Sequence, residues 1–450
     1  MQSKQRPPTC ATDASATRSG ARSAAATLAA ATPALARSAH AAGSDLVRLA
    51  LIGCGGRGTG AAVQALQNKA TRNVKLVAMA DAFSERLDNA LRAIQARCPD
   101  QVDVPEERRF VDLNGYRKAI ACDVDLVLIC TPPGFRPQQF EAAVQAGRHV
   151  FMEKPLAVDA PGVRRILRAN EEAKRRGLLV AVGHHLRHEI KHREVISRIH
   201  DGAIGRVKYM RAYFNSGGVW TRPRKPGQTE MQYQVNNWYY FTWLSGDHIV
   251  EQHVHDLDVM NWIKQDAHPV RANGMGGRQV RGSHADPQAK DHGEIFDHHS
   301  VEFEYEDGTR MYSFCRHILG CWNSFSEHAR GTKGSAHIEG HGRGVLVVEG
   351  QPPQQWDRGP DGHQVEHDDL FAALMAGRPY NEVDWAAQST MTAIMGRMAT
   401  YSGKQLTWEQ AFNSQLDLSP SAYTWDAQPP VLPGPDGRYA CAMPGVTRAW

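Results

Sequence analysis

Short apolar runs alternate with longer stretches of helical periodicity from residue 46 to about residue 170. Four runs have the length and composition of buried strands, at residues 49–52, 74–80, 124–130 and 149–152. Strands separated by helices in this way form parallel sheets with helices on both faces. The pattern predicts an α/β domain, a doubly wound Rossmann sheet, over residues 46–170.

The period changes beyond Gly177, where several runs alternate apolar and polar positions. These runs occupy residues 206–215, 270–280, 300–305, 309–315, 336–339 and 345–348. Alternation is typical of antiparallel strands with one buried face, and Glu306-Asp307-Gly308 between two of them indicates a hairpin. Residues 368–375 and 386–401 have the periodicity of core helices. We therefore expect an α+β domain with an antiparallel sheet over residues 171–404.

Both ends of the chain differ from this pattern. Residues 405–450 are Pro-rich and aperiodic, which predicts an arm that wraps the body or a neighbouring subunit. Residues 1–45 are rich in Ala, Ser and Thr, with Arg18 and Arg22 ahead of an apolar run at residues 24–36. This leader resembles an export signal and indicates a periplasmic or exported protein. A disordered tail on a cytoplasmic enzyme is the alternative.

Composition narrows the class of protein. A chain of 450 residues that is 42% hydrophobic is typical of two globular domains. The net charge is only +4, and no long basic run has interleaved aromatic residues, so nucleic acid is excluded as a partner. The eight cysteines form no C-x-x-C pair, which argues against a disulfide framework. Outside the leader, no segment has the ~18 unbroken apolar residues that a membrane span requires.

A glycine-rich turn follows the first strand directly. Gly53, Gly55 and Gly58 fill the positions of a G-x-G-x-x-G dinucleotide fingerprint, with Cys54, Gly56 and Arg57 between them. The first glycine permits a tight turn, the second admits a pyrophosphate, and the third lets the next helix pack closely. These six residues are therefore predicted to bind the cofactor.

Two further strand ends complete the predicted cofactor site. Asp81 ends the second strand, where a carboxylate accepts hydrogen bonds from both ribose hydroxyls and repels a 2′-phosphate. This favours NAD, although Arg86 nearby leaves NADP open. Thr131 and Pro132 end the third long strand, and ligands of doubly wound sheets bind at such carboxyl ends. We expect them to line the nicotinamide half of the cleft.

The segment Glu153-Lys154-Pro155 after the fourth strand gives the chain a family resemblance. Together with the glycine turn, Thr131-Pro132 and His255-Asp256-Leu257-Asp258, it resembles the glucose-fructose oxidoreductase and inositol dehydrogenase family (Gfo/Idh/MocA) over residues 46–403. The resemblance implies a Rossmann domain joined to an antiparallel-sheet domain, bound NAD(P), and Glu153 and Lys154 beside the cofactor. It also implies a homo-oligomer.

The resemblance also implies the reacting groups. A sugar hydroxyl must lose a proton as its carbon loses a hydride, and Lys154 and His255 are the candidate proton partners. The family places an acid four residues before the histidine, and Glu251 fills that position. At i,i+4 on one helix face, its carboxylate would orient the imidazole. Arg187 matches an arginine of the family's next strand-end motif and is a candidate substrate contact.

Residues 220–243 combine aromatic side chains with Gly, Pro, Asn and Gln. Aromatic faces stack on sugar C–H surfaces, so Trp238, with Asn237 as a hydroxyl partner, is a candidate substrate contact. The alternative is a packed loop that supports the second domain.

His248, Glu251 and His255 also share a helical stripe with the residue types of a metal site. Their first and last members lie ~10 Å apart on a regular helix, too far to ligate one ion, so no metal is expected.

These observations predict an NAD(P)-dependent oxidoreductase that takes a hydride from a secondary hydroxyl of a sugar, cyclitol or glycoside. Because an exported enzyme meets no free NAD, tightly bound cofactor is expected. Two alternatives remain open. One is a glycosidase that oxidises, eliminates and reduces without net redox change, and the other is a non-catalytic sugar or nucleotide sensor.

Overall fold

A computed structural model describes residues 46–281 and 293–450 of the chain. The predicted export leader, residues 1–45, lies outside the described residues. None of the helices in the described ranges is both long enough and apolar enough to cross a membrane.

The first sheet has six parallel strands. They are β1 (Val47–Ile52), β2 (Val74–Asp81), β3 (Arg109–Val111), β4 (Leu126–Ile129), β5 (His149–Met152) and β6 (Val180–Val182). Their order is β3-β2-β1-β4-β5-β6, so the connection reverses direction between β1 and β4. Flanking helices are α1 (Gly56–Leu66), α2 (Ser84–Arg97), α3 (Gly115–Ala121), α4 (Arg136–Gln145) and α5 (Ala160–Arg175). The predicted doubly wound fold is confirmed, with the switch point where ligands bind.

The second sheet has nine strands. They are β7 (Val207–Ser216), β8 (Arg271–Gly277), β9 (His298–Glu304), β10 (Arg310–His317), β11 (Ser324–Gly331), β12 (Gly334–Glu339), β13 (Gly344–Val348), β14 (Gln354–Trp356) and β15 (Leu406–Thr407). Their order is β14-β13-β12-β11-β7-β10-β9-β8-β15. The sheet is antiparallel as predicted, apart from the β7–β10 pair, which is parallel. The predicted hairpin joins β9 and β10, with Gly308 at φ 81°.

Further helices follow the first sheet along the chain, and some of them pack on the inner face of the second sheet while others pack against the first domain or against neighbouring helices. They are α6 (Ile190–His200), α7 (Glu230–Asn236), α8 (Thr242–Ser245), α9 (His248–Glu251), α10 (Val254–Ile263), α11 (Gly362–Met375), α12 (Val383–Ser402) and α13 (Trp408–Phe412). α12 is buried along most of its length and packs against α5, α10, β8 and β9. The two sheets are therefore joined through one shared core helix.

The helix predicted to carry both Glu251 and His255 is interrupted between α9 and α10. The N–H groups of Gln252 and His253 both donate to the carbonyl of His248, so the regular helical ladder is interrupted at these two residues. Glu251 thus ends one helix, while His255 lies in the first turn of the next. The expected single helix face bearing both side chains does not form, and neither does the metal stripe.

The C-terminal arm packs against its own chain. The N–H of Leu418 donates to Asp159, the ring of Tyr423 lies 5.5 Å from that of Phe135, and Tyr439 is buried. Trp425 reaches the first domain next to β2, where it contacts the ring of Phe83 at 5.5 Å. Of the two predicted arrangements, wrapping the body is the one observed.

Arg397 of α12 allows a test of the contacts that hold the two domains together. Its buried guanidinium donates to the carbonyls of Val158 and Gly246, at 2.7 and 3.0 Å. Arg397→Ala leaves both carbonyls unpaired, and we expect a loss of about 3 kcal/mol in the free energy of unfolding, measured by urea denaturation. Arg343→Ala, which breaks an exposed pair with Asp357, is the control and should cost less than about 1 kcal/mol. Equal losses would contradict the assignment.

Candidate active site

The glycine turn brings the N-terminus of α1 to the carboxyl edge of the first sheet. No acidic residue lies in the first turn of α1, and Gly55 at its N-cap offers no side-chain acceptor. The first N–H groups of the helix therefore face the cleft without a partner from the helix itself. Such an end binds phosphate, because the N–H groups and the helix dipole both favour negative charge.

The glycines themselves fit a dinucleotide. A Cβ on Gly58 would lie 1.9 Å from the carbonyl oxygen of Gly53, so only glycine permits this close packing of helix on strand. Gly53 has φ 92° and no room for a side chain against Cys130 and Thr131. At Gly55, by contrast, nothing lies within 4 Å of a built Cβ. The open space is on the side where a pyrophosphate approaches.

Asp81 occupies the predicted ribose position. Its two oxygens accept hydrogen bonds from the backbone N–H groups of Cys54 (2.7 Å) and Phe83 (2.9 Å), which fix the carboxylate at the end of β2. Burial raises the pKa of Asp81 despite these donors. Arg86 is occupied elsewhere, because it donates to the side chain of Asn236 at 2.8 Å. The carboxylate is therefore held at the carboxyl edge of the sheet, where the sequence predicts the ribose.

A cavity of about 1030 Å³ runs from this ribose position to the second sheet. All of the predicted cofactor residues line it: Gly53, Cys54, Gly55, Gly56, Arg57, Gly58, Asp81, Thr131, Pro132, Glu153 and Lys154. Arg57 lies along one wall of the cavity, where its Nε is 2.5 Å from a carboxylate oxygen of Glu153. Burial opposes ionisation of Glu153, but the charges of Arg57 and Lys154 outweigh it and lower the pKa.

Lys154 connects the two domains at the centre of the cavity. Its Nζ donates to the carbonyl oxygen of Glu251 at 2.5 Å and to the carboxylate of Glu251 at 3.0 Å. Both side chains are mostly buried. Because an unpaired charge is costly in such a place, the pair fixes Lys154 at the end of β5. Among the described residues no hydrogen bond joins Glu251 to His255, so Glu251 orients Lys154 and not the imidazole.

His255 faces the same cavity beside two other histidines. Its ring lies 4.8 Å from that of His185, and the ring of His363 stacks on His185 at 3.9 Å. Burial, and then the charge of Lys154, lowers the pKa of His255 well below its usual range. Its Nδ1 is buried without a hydrogen-bond partner in the described residues. The ring is therefore neutral near pH 7.

Two predicted substrate contacts lie away from the cavity. Arg187 makes two hydrogen bonds to Asp258, at 2.8 and 2.9 Å, and stacks on Trp385. Asn237 is fully buried and exchanges hydrogen bonds with the backbone of Arg222. Both side chains are used to hold the second domain together, which corrects the predicted substrate role.

The aromatic segment divides between the two predicted roles. Trp220 and Trp238 line the cavity, with ring centroids 6.0 Å apart. Tyr233, Phe241 and Trp243 are buried in a core cluster instead. Of the aromatic residues in this segment, the two tryptophans line the cavity, together with Arg222 and Val235, and the others support the fold.

A buried cluster has ligand types that suit a metal ion. Single atoms of Asp247, His248 and His299 lie within 4.8 Å of one another. The carboxylate of Asp247 is already saturated, however, because both histidine rings, the N–H of His248, the N–H of Phe296 and the hydroxyl of Tyr401 all point to it. We assign this cluster a structural role.

Several cavity residues were not among the predicted site residues. They are His185, Gln252, His341, His363, Phe214 and Phe325. His185 lies two residues before Arg187, at the strand end already considered for substrate, whereas His363 on α11 precedes the core helix predicted over residues 368–375. Phe325 lies on β11, a strand that the sequence pattern did not predict.

The fold and the cavity together define the class: a two-domain NAD-binding protein of the Rossmann type. Residues 47–184 match the oxidoreductase family with an NAD-binding Rossmann fold, and residues 192–337 match the GFO/IDH/MocA C-terminal domain. The chain belongs to the Gfo/Idh/MocA oxidoreductase family, as its motifs predicted.

Curated relatives agree with this family. A dTDP-3,4-didehydro-2,6-dideoxy-alpha-D-glucose 3-reductase of Actinomadura kijaniata is 29% identical over 43% of this chain and 51% of the relative. An inositol 2-dehydrogenase of Rhizobium meliloti (strain 1021) is 30% identical over 36% of this chain and 43% of the relative. The chain thus spans about half the length of these relatives.

Solved structures share the fold. Levoglucosan dehydrogenase, in complex with NADH and levoglucosan, superposes with a TM-score of 0.64 at 15% identity, over 81% of this chain and 100% of the other. The aldose-aldose oxidoreductase of Caulobacter crescentus gives 0.62 at 19% identity, over 80% and 99%. At these identities the likeness concerns the fold alone.

The empty space at Gly55 leads to a prediction about cofactor binding. In Gly55→Ala the added methyl meets no protein atom, so the melting temperature should stay unchanged, while the dissociation constant for NAD should rise at least about tenfold. Calorimetric titration of cofactor-stripped protein measures the constant. Gly60→Ala, whose Cβ would meet only Arg57 at 3.5 Å, is the control and should bind normally. Unchanged affinity in Gly55→Ala would argue against a pyrophosphate at this turn.

The buried histidines predict a loss of stability in acid. Burial lowers the pKa of His184 and of His299 to about 4 and that of His253 to about 3. Below the ordinary histidine pKa the unfolded chain binds more protons, so this stabilisation is present above about pH 6.5 and is lost as the pH falls. Each such histidine costs about 2 kcal/mol at pH 5.

Two histidines act in the opposite direction. Burial opposes the charge on His188, but Asp369 raises its pKa to about 9, and Glu189 raises the pKa of His192. Their contribution is complete below about pH 6.5 and is lost as the pH rises. More histidines have a lowered pKa than a raised one. We therefore expect the melting temperature to fall as the pH decreases from about 7.5 to 5. Differential scanning calorimetry tests this, and an equal or higher melting temperature at pH 5 would refute it.

Proposed function

We propose that the protein is an NAD-dependent oxidoreductase that removes a hydride from a secondary hydroxyl-bearing carbon of a carbohydrate. The observation that carries the proposal is the meeting of Lys154, Glu251 and His255 in the cavity that the predicted cofactor residues also line. The family assignment, and the sugar and inositol enzymes among the relatives, support a carbohydrate substrate. Asp81 supports NAD over NADP, because its carboxylate would repel a 2′-phosphate.

The residues of the site have distinct tasks in this proposal. NAD, when bound, supplies the acceptor for the hydride. Lys154 directs an ammonium N–H at the reacting oxygen, held in place by the carbonyl and carboxylate of Glu251. His255 is neutral and takes the hydroxyl proton on a ring nitrogen as the carbonyl forms. Thr131 is fixed by Gln139, 2.5 Å from its hydroxyl, and lines the wall where the nicotinamide belongs.

Tight retention of the cofactor is part of the proposal. The second domain crosses the cleft near Asp81, where Arg86 and Arg222 both donate to Asn236 at the end of α7. Trp220 and Arg222 line the cavity from this side. Release of NAD would therefore require these contacts to open. Retention suits the export that the leader indicates, since an exported enzyme would carry its cofactor with it.

The outer face of the nine-stranded sheet supports the proposed homo-oligomer. Tyr209 and Met275 are exposed on its strands, and Tyr213 and Phe314 stack with centroids 5.3 Å apart. We propose that copies of the chain pair through this face, and light scattering of the purified protein would give the subunit count.

The first experiment follows the absorbance of reduced nicotinamide in the purified full-length protein as sugars, cyclitols and glycosides are added. We expect a rise with a carbohydrate, and Lys154→Met should slow it about 10²- to 10⁴-fold without loss of bound cofactor. Lys208→Met, on an exposed position of β7, is the control and should behave as wild type.

Two outcomes would overturn the proposal. Cleavage of a glycoside without any net absorbance change would identify the redox-neutral hydrolase. A protein that binds sugar but shows no turnover, with Lys154→Met indistinguishable from wild type, would identify a sensor.

A further inference from the structure

Two phenylalanines face the cavity from the second sheet. Phe214 of β7 and Phe325 of β11 are direct neighbours in the strand register, and their ring centroids are 4.9 Å apart. On β7, Phe214 follows Met210 and Ala212, which are buried on the inner face of the sheet. Phe214 and Phe325 are only partly buried and line the same cavity as Lys154. The apolar core thus ends in an aromatic surface that opens into the cleft.

Phe325 is held against the neighbouring turn. A Cβ on Gly340 would lie 1.9 Å from Cδ1 of Phe325, so the ring rests directly on the backbone of Gly340. The N–H of Gly340 also donates to the carbonyl oxygen of Phe325 at 2.8 Å. Any larger residue at position 340 would displace the ring. The orientation of Phe325 toward the cavity is therefore built into the fold.

The same turn carries His341 and is fixed by a buried lysine. Nζ of Lys191 donates to the carbonyl oxygens of Glu339, Gly340 and Gly342, while Glu189 balances its charge at 3.3 Å. Burying an ammonium group is costly unless it is paired and hydrogen-bonded. All three hydrogen bonds from Nζ go to carbonyl oxygens of one short turn, residues 339–342, and hold that turn in place.

His341 extends the aromatic surface. It is exposed, lines the cavity, and presents its ring at 70° to that of Phe325, with centroids 5.8 Å apart. A polar side chain lines the same cavity: Gln252 follows Glu251 in sequence and is held by His317 of β10 at 2.6 Å. The cleft therefore continues beyond Lys154 and His255 as a preformed aromatic wall with a fixed amide beside it.

The residues predicted to bind the cofactor come from a different part of the cavity, so this part is available to the substrate. The glycine turn, Asp81 and Thr131 belong to the first sheet, whereas Phe214, Phe325 and His341 all belong to the second. The faces of aromatic rings carry negative charge and attract the weakly positive C–H groups of a sugar ring or the edge of another aromatic ring. A surface of this kind favours the C–H face of a sugar ring, or a second aromatic ring, over an anionic group.

We propose that Phe214, Phe325 and His341 form a second subsite, which holds an uncharged ring joined by a glycosidic bond to the ring that is oxidised. The substrate is then a glycoside with a pyranosyl or aryl group at this position, and not a single sugar or cyclitol. The inference rests on the proposed function for the identity of the first ring.

The test compares glycosides that differ only in the second ring. For the sugar that reduces the bound cofactor, the second-order rate constant of single-turnover cofactor reduction is measured with the methyl glycoside, the phenyl glycoside and a disaccharide, in the wild-type holoenzyme and in Phe325→Ala. The wild type should prefer the two-ring compounds at least about tenfold, and Phe325→Ala should abolish most of that preference. The arms with phenyl glycoside and disaccharide distinguish an aryl from a pyranosyl occupant.

Controls separate recognition from folding. Phe412→Ala removes a similar, partly buried side chain from α13, which does not line the cavity, and should keep the wild-type preference. His341→Ala, at an exposed position, should weaken the preference without a change in melting temperature. Because the readout is a ratio between substrates, a partly unfolded variant does not alter it. A wild type without preference, or a Phe325→Ala that loses activity equally on all compounds, would overturn the subsite.

Failure of the proposed function is distinguishable from failure of the subsite. If no compound reduces the cofactor, calorimetric titration of methyl and phenyl glycoside into the holoprotein still measures the contribution of the second ring. Tighter binding of the phenyl glycoside that is lost in Phe325→Ala would support the subsite without dehydrogenation. Equal binding of both compounds would refute it.

Discussion

The pairing of one buried ammonium group sets the geometry on which the site depends. Lys154 lies at the carboxyl end of β5, and its charge is balanced by Glu251, which ends α9 of the second domain. Because separating the pair would leave a charge unpaired where little water reaches, the two sheets are held at one spacing. Together with the packing of α12, this contact places the end of α9, four residues before His255, against Lys154.

The parts of the site that sequence predicted are those whose chemistry is local. Gly53, Gly55 and Gly58 reveal a phosphate turn because steric demands within a few residues decide them, and Asp81 follows from the end of the next strand. Lys154 and His255 were identified through family motifs. The structure places all of these around one cavity, although their chemical roles stay predictions until they are tested.

What sequence did not predict depends on distant partners. β11 was missed because its buried face includes Glu327, whose partner His192 comes from α6, so the apolar alternation of a strand is absent. Arg187 looked like a ligand contact but is neutralised by Asp258, 71 positions away. The helix expected to carry Glu251 and His255 breaks at Gln252, where the backbone turns to the carbonyl of His248. The first two pairings leave no signal in their own segments, and the helix break, although local, is not marked by a glycine or proline.

An enclosed cofactor and an aromatic subsite have a joint consequence for turnover. If NAD stays bound beneath Arg86 and Asn236, it must be regenerated in the same cleft, so the compound that is oxidised and the compound that is reduced occupy the subsites in turn. Groups that read individual hydroxyls would favour one of the two. A wall formed by Phe214 and Phe325 recognises ring faces, which different carbohydrates share. Such a wall admits both partners, while Lys154 and His255 act on the same carbon–oxygen bond in either direction.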